Sequence, residues 1–171
     1  MVHPAQVNIE TLMTQCDVKR TRATGPGGQH RNKVETAIVI THRISGVVGQ
    51  ASESRNQQAN LKSATQRLRV NLALAIRDPV SLVDDDQYEP TERWRSRLQG
   101  RKINVSTSHI DFPALLCEAL DVVASVQFDV STAAKYLLTS TSQLIKFLKQ
   151  EPAALLWLNR EREQLGMHRL K

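Results

Sequence analysis

The chain has 171 residues, 40% of them hydrophobic, and a formal charge of +6. That length holds one ordinary domain and a small second one. No apolar run reaches the roughly 18 residues that suggest a membrane span, and the N-terminus lacks the basic-then-apolar order of a secretory signal, so a cytoplasmic protein with no membrane association is expected. Cys16 and Cys117 are too few and too distant for a disulfide framework or a metal cluster.

Asp17–Arg22 reads as a first strand and Ala37–His42 as a second, the latter apolar and β-branched through Ile38-Val39-Ile40-Thr41. Between them lies Gly25-Pro26-Gly27-Gly28-Gln29, followed at once by His30-Arg31-Asn32-Lys33. Gly-Pro and Gly-Gly mark turns, and glycine reaches positive φ and admits close approach of another backbone. The stretch therefore reads as a loop that can push the Gln29 amide into a confined space. Ser45-Gly46 is a turn, and Val47–Ala51 a third strand able to pair with the second as a hairpin. A long helix is predicted over Asn56–Arg77, with Leu61, Ala64, Leu68, Leu72, Ala75 and Ile76 near helical spacing, ended by Asp78-Pro79.

Residues 78–103 read as a linker, acidic at Asp84-Asp85-Asp86 and then basic at Arg93, Arg95, Arg97, Arg101 and Lys102. Trp94 among these arginines suits RNA contact or docking on a domain. From residue 104 onward, four helices are predicted, over Pro113–Val126, Ser131–Leu138, Thr141–Gln150 and Pro152–Leu165. Ser131 and Ser140 or Thr141 suit N-caps, and Pro152 suits a first turn. Ala133-Ala134 followed by Ser140-x-Ser142-Gln143-Leu144 resembles a helix-turn-helix. Leu138, however, stands where that motif prefers glycine, and residues 104–171 balance seven basic against seven acidic side chains. The alternative is a packing or protein-docking bundle. The expected class is α+β: a small, mainly antiparallel sheet with one long packed helix and an exposed Gly-Gly-Gln loop in residues 1–77, then the linker, then a small all-α module in 104–171.

The charge excess is local. Residues 1–77 hold eleven basic side chains against four acids, and no aromatic precedes Tyr88. Base stacking is therefore not available to this half, whereas phosphate and shape contacts to folded RNA are. Arg20, Arg22, Arg31, Lys33, Arg43, Arg55, Lys62, Arg67 and Arg69 are candidate phosphate ligands there.

The loop resembles the Gly-Gly-Gln signature of class I peptide chain release factors, and the likeness continues beyond it. Asn32, Lys33, Thr36, Ala37 and Ile38, then Ile40-Thr41-His42 and Gly46, then Arg55, Gln57 and Asn60 of an Arg-x-Gln-x-x-Asn run all fit, over roughly residues 15 to 75. Arg31, Ser54 and Asn56 depart from the family pattern. The resemblance implies ribosome-dependent hydrolysis of the peptidyl-tRNA ester with Gly27, Gly28 and Gln29 as the catalytic loop. It further implies RNA contacts from Arg20, Arg22, His30, Arg31, Asn32, Lys33, Arg55, Gln57, Asn60, Lys62 and Arg67, joined by Arg93, Arg95, Arg97, Arg101 and Lys102. Gln29 becomes a modification candidate with a glutamine methyltransferase as partner, and no cofactor or metal is called for. The protein is expected to act as a monomer on large-subunit rRNA and peptidyl-tRNA.

Only some twenty residues precede the loop, with no Ser-Pro-Phe or Pro-x-Thr tripeptide among them. The layout is similar to the short, codon-independent hydrolases that rescue stalled ribosomes, which usually end in a basic tail; here a basic block and a helical C-terminus stand in its place. The competing readings are a regulatory or ribosome-assembly factor that binds RNA without hydrolysis.

Overall fold

Alternating and β-branched residues form three antiparallel strands, β1 (Cys16–Thr21), β2 (Ala37–His42) and β3 (Val48–Ala51), in the order β1-β2-β3. The structure is a computed structural model and describes residues 2–22, 35–78, 80 and 88–171. It divides into two compact units, Met1–Ala75 and Ile76–Lys171. Helices and small antiparallel sheets occur in both, the α+β class expected.

In the first unit, register pairs Val18 with Ile40 and Thr21 with Ala37 on one side of β2, and Ile40 with Gly49 on the other. The long helix α2 (Gln57–Ala75) buries Ala64, Leu68, Leu72 and Ala73 against β2 and β3. Gly49 sets how closely it can lie. A Cβ there would stand 2.6 Å from Leu68 Cβ and nearer still to the Ala64 oxygen and the Leu68 nitrogen. At the turn between β2 and β3, Gly46 has φ +69°, and buried His42 bonds Ser45 Oγ through Nδ1 at 2.7 Å. Burial, and then the Arg43 charge, hold the His42 imidazole below its ordinary pKa.

A short helix, α1 (Ile9–Thr14), precedes the sheet and was not expected. Asn8 starts it by accepting from the Thr11 amide at 2.7 Å. Its six residues offer too little periodicity to be read as a helix.

The second unit is mainly helical, with α4 (Phe112–Ser125), α5 (Val130–Tyr136), α6 (Thr141–Leu148) and α7 (Pro152–Gln164). These match the four expected helices, with ends moved by one or two residues. Pro152 opens α7, Ser140 caps α6, and Asp129 caps α5 where Ser131 was expected. Residues 112–123 of α4 are all buried, as a nearly all-apolar helix requires. Its Glu118 accepts from the Tyr88 hydroxyl, the Thr91 amide and the Thr91 hydroxyl at 3.1, 2.7 and 2.6 Å. Asp121 accepts from Arg77 Nη1 at 2.9 Å, and that guanidinium lies 5.2 Å from the Trp157 ring centre. Both buried carboxylates thus have charge or hydrogen-bond partners.

Residues 92–103, expected within a linker, fold as part of this unit. They form helix α3 (Glu92–Arg95) and a hairpin of β4 (Leu98–Gln99) and β5 (Lys102–Ile103), with Gly100 at φ +59° in its turn. Trp94 belongs to the core. It is 1% exposed, its indole donates to the Leu137 carbonyl at 2.7 Å, and its ring meets Phe147 edge-on at 5.6 Å. Of its two anticipated roles, docking holds and RNA stacking does not.

Candidate functional site

β1 and β2 deliver the chain to and from the loop segment. The last ladder pair is Thr21 with Ala37, and beyond it Arg22 Nε lies 4.0 Å from the Glu35 carboxylate. Gly27, Gly28 and Gln29, with His30, Arg31, Asn32 and Lys33, lie outside the described residues. What the structure provides is the mount on which that segment is carried.

The returning arm is tied down by the head of α2. Gln57 donates from Nε2 to the Glu35 carbonyl at 2.9 Å. Asn60 donates from Nδ2 to the Thr36 carbonyl at 2.7 Å and to the Ser54 carbonyl at 2.8 Å, while its Oδ1 accepts from the Ser54 amide at 2.9 Å. Asn60 therefore joins the arm to the turn after β3 through three bonds inside the protein. At 1% exposure it cannot touch RNA, which corrects its assignment as an RNA ligand: the residue positions the loop arm. The Arg-x-Gln-x-x-Asn spacing carried this information, since an amide at the first turn of a helix can satisfy backbone groups of a neighbouring segment. Burial, which decides between ligand and anchor, is a tertiary property. Gly49 escaped the sequence reading for the same reason.

Arg20, Arg22, Arg55 and Lys62 are exposed, and exposed Arg43 donates to the Cys16 carbonyl at 3.0 Å and to the Asp17 carboxylate at 2.9 Å; Arg69 is corrected as a phosphate candidate, since it is buried and donates to the Ala5 carbonyl at 3.0 Å. Arg67 is exposed too but engaged: Nη1 donates to the Gln50 carbonyl at 2.8 Å and Nη2 contacts the Glu53 carboxylate. That contact, followed by backbone amides, holds the Glu53 carboxyl down at about 2. Arg22 and Arg67 stand with Thr21, Val39, Gln50 and Ser52 around an open depression of about 310 Å³ beside the loop stem.

The basic block of the second unit is opposed in space by acids that are distant or flanking in sequence. Arg97 forms a 2.6 Å bond with Asp111, Arg93 lies 3.6 Å from the same carboxylate, and Arg95 pairs with Glu89 at 2.8 Å. Arg101 donates to the Thr139 carbonyl at 3.2 Å. Of the five side chains read as an RNA-binding block, Arg93, Arg95 and Arg97 face carboxylates and Arg101 a carbonyl, so these four serve first to fasten α3 and the hairpin.

Residues 5–109 match the RF-1 domain. The chain belongs to the RF-1 domain family of class I peptide chain release factors. It is 47% identical over 66 residues to the chloroplastic peptide chain release factor PrfB1 of Arabidopsis thaliana, a stretch covering 39% of this chain and 14% of that protein. It is 41% identical over 71 residues to peptide chain release factor 1 of Xylella fastidiosa, covering 42% of this chain and 17% of that protein. The chain thus spans about a sixth or less of the length of these relatives. No solved structure gives a significant match. The RF-1 match runs through the Gly27-Gly28-Gln29 segment and its Gln57 and Asn60 mount and on into α3 and the β4–β5 hairpin. Among the described residues, no helix is long and apolar enough to cross a membrane.

Proposed function

We propose that the chain hydrolyses the peptidyl-tRNA ester in the ribosomal peptidyl transferase centre, and that it does so without reading a stop codon. The observation that carries the first part is the RF-1 match over residues 5–109, together with a stem whose returning arm is fixed to α2 by Gln57 and Asn60. Such a mount suits a residue that must be delivered to a site built by another molecule. The second part extends the likeness to the short, codon-independent hydrolases that rescue stalled ribosomes, and the codon series below tests it.

The chemistry asked of the protein is modest. The ribosome holds the ester, so the loop need only admit and orient one water and stabilise charge developing on the leaving 3′-oxygen. The Gln29 backbone N–H is the donor for that charge, and its side-chain amide restricts the nucleophile to water. Gly27 and Gly28 keep the loop free of Cβ atoms where RNA closes around it. The basic side chains Arg20, Arg22, Arg55 and Lys62 supply phosphate contacts for docking.

The test is release of labelled peptide from ribosome-bound peptidyl-tRNA with a stop codon, with a sense codon and with an empty decoding site. Equal release in all three is expected, and Gly28→Ala should lower it about 10²–10³-fold, the usual loss for one oriented donor. Release only on the stop codon would overturn codon independence. Undiminished release by Gly28→Ala would overturn the role of the loop.

A further inference from the structure

The neutrality of residues 104–171 conceals a polarised surface. Of the seven acids in this stretch, Glu118 and Asp121 are buried, Asp111 is paired with Arg97, Asp129 and Glu151 are engaged as N-caps of α5 and α7, with Asp129 still exposed, and Glu161 and Glu163 lie on α7. Between those caps, residues 130–150 contain Lys135, Lys146 and Lys149 and no acid at all. The three lysines are exposed.

The same residues form a helix-turn-helix. α5 and α6 are joined by a short turn in which Leu138 takes φ +53°, the left-handed conformation that glycine usually supplies. Ala133, Ala134, Leu137, Thr139, Leu144 and Phe147 all point into the unit. This fixes which side of α6 faces outward. Ser142, Lys146 and Lys149, spaced i, i+4, i+7, make one stripe along that side. The stripe presents lysine ammonium groups, compact point charges with no planar fork, which suit contact with phosphates.

We infer that the α5–α6 face is a second docking surface, for the phosphate backbone of a folded RNA double helix, engaged through Lys135, Lys146 and Lys149. The polyanion follows from the acid-free charge of the face. The choice of RNA rests on the proposed ribosomal function, and A-form helices are recognised by shape and backbone. Covalent attachment to the RF-1-type unit would make the second contact intramolecular and raise the effective concentration at the ribosome.

The test uses the full chain and fluorescence anisotropy with an RNA hairpin and its DNA counterpart across a salt series, comparing wild type with the Lys135→Gln, Lys146→Gln, Lys149→Gln triple variant. Each lysine on a phosphate contributes about one unit of log–log salt slope, so the triple variant should flatten the RNA slope by about three and bind more weakly by about tenfold or more at low salt. Ser142→Glu, which places a like charge on the stripe, should weaken binding as well, and it keeps the test decisive if the triple variant melts early. Unchanged affinity and slope in both variants would overturn the inference. Tighter binding of the DNA hairpin would overturn the assignment to RNA. The measurement involves no codon and no ester, so a failure of peptide release leaves it interpretable, and its own failure leaves peptide release standing.

Discussion

Asn60→Ala isolates the fastening of the loop arm. The substitution removes three hydrogen bonds, a buried one to the Thr36 carbonyl and two part-buried ones to the backbone groups of Ser54, made by a side chain that is 1% exposed. At about 1–1.5 kcal/mol for each bond lost, the cost is roughly 3–4 kcal/mol. For a unit of this size that is a large share of the whole stability. With a urea m-value of roughly 1.5 kcal/mol/M, the midpoint should fall by about 2 M. Gln57→Ala removes one exposed bond, to the Glu35 carbonyl, and should cost less than about 1 kcal/mol. Equilibrium urea unfolding followed by circular dichroism compares the two, and peptide release measured where both remain folded asks whether the freed arm also lowers the rate. A midpoint for Asn60→Ala no lower than that for Gln57→Ala would refute the anchoring role.

Other outcomes follow from single contacts. Gly49→Ala should destabilise the first unit by about 3 kcal/mol or more, because its Cβ meets backbone of α2 and not a yielding side-chain tip; a melting temperature within a few degrees of wild type would contradict this. Leu138→Gly should stabilise the second unit by roughly 0.5 kcal/mol net of glycine's unfolded-state entropy, whereas Leu138→Val, β-branched at positive φ, should cost about 1 kcal/mol; thermal melts that reverse the order would show that the turn is not strained. His42 has a folded pKa below its ordinary 6.5, so the unfolded chain binds the proton more readily. Its contribution to stability is therefore present above about pH 6.5 and is lost as pH falls from there towards the folded value, with a slope of up to about 1.4 kcal/mol per pH unit. Urea midpoints between pH 8 and pH 5 that do not shift between wild type and His42→Gln would refute this.

Much of the architecture was legible because its signals are local. β2 announces itself by four β-branched residues in a row, α2 by its apolar spacing, and α6 and α7 by Ser140 and Pro152 at their starts. Ends drifted by a residue or two because the terminal turns are held by neighbours as much as by propensity. What escaped depended on distant partners. Two-residue strands such as Leu98–Gln99 and Lys102–Ile103 have no period to detect. Arg97 looks like a free cation until Asp111, fourteen residues on, is folded against it. At the candidate site, the Gly-Gly-Gln segment was legible as a string, and Gln57 and Asn60 as part of a motif. That Asn60 serves the backbone rather than a ligand could be known only from its burial.

The sheet of the first unit also divides its labour unevenly. α2 lies over β2 and β3, while β1 occupies an edge and shares its one ladder with β2. The two arms of the loop segment thus depart from backbone of different depth, one from a rim strand, the other from the middle of the sheet. In native-state hydrogen exchange the amides of Cys16–Thr21 should open before those of Ala37–His42. A partner that pulls on the segment would work chiefly against the outer strand, leaving the half that carries the hydrophobic interior undisturbed.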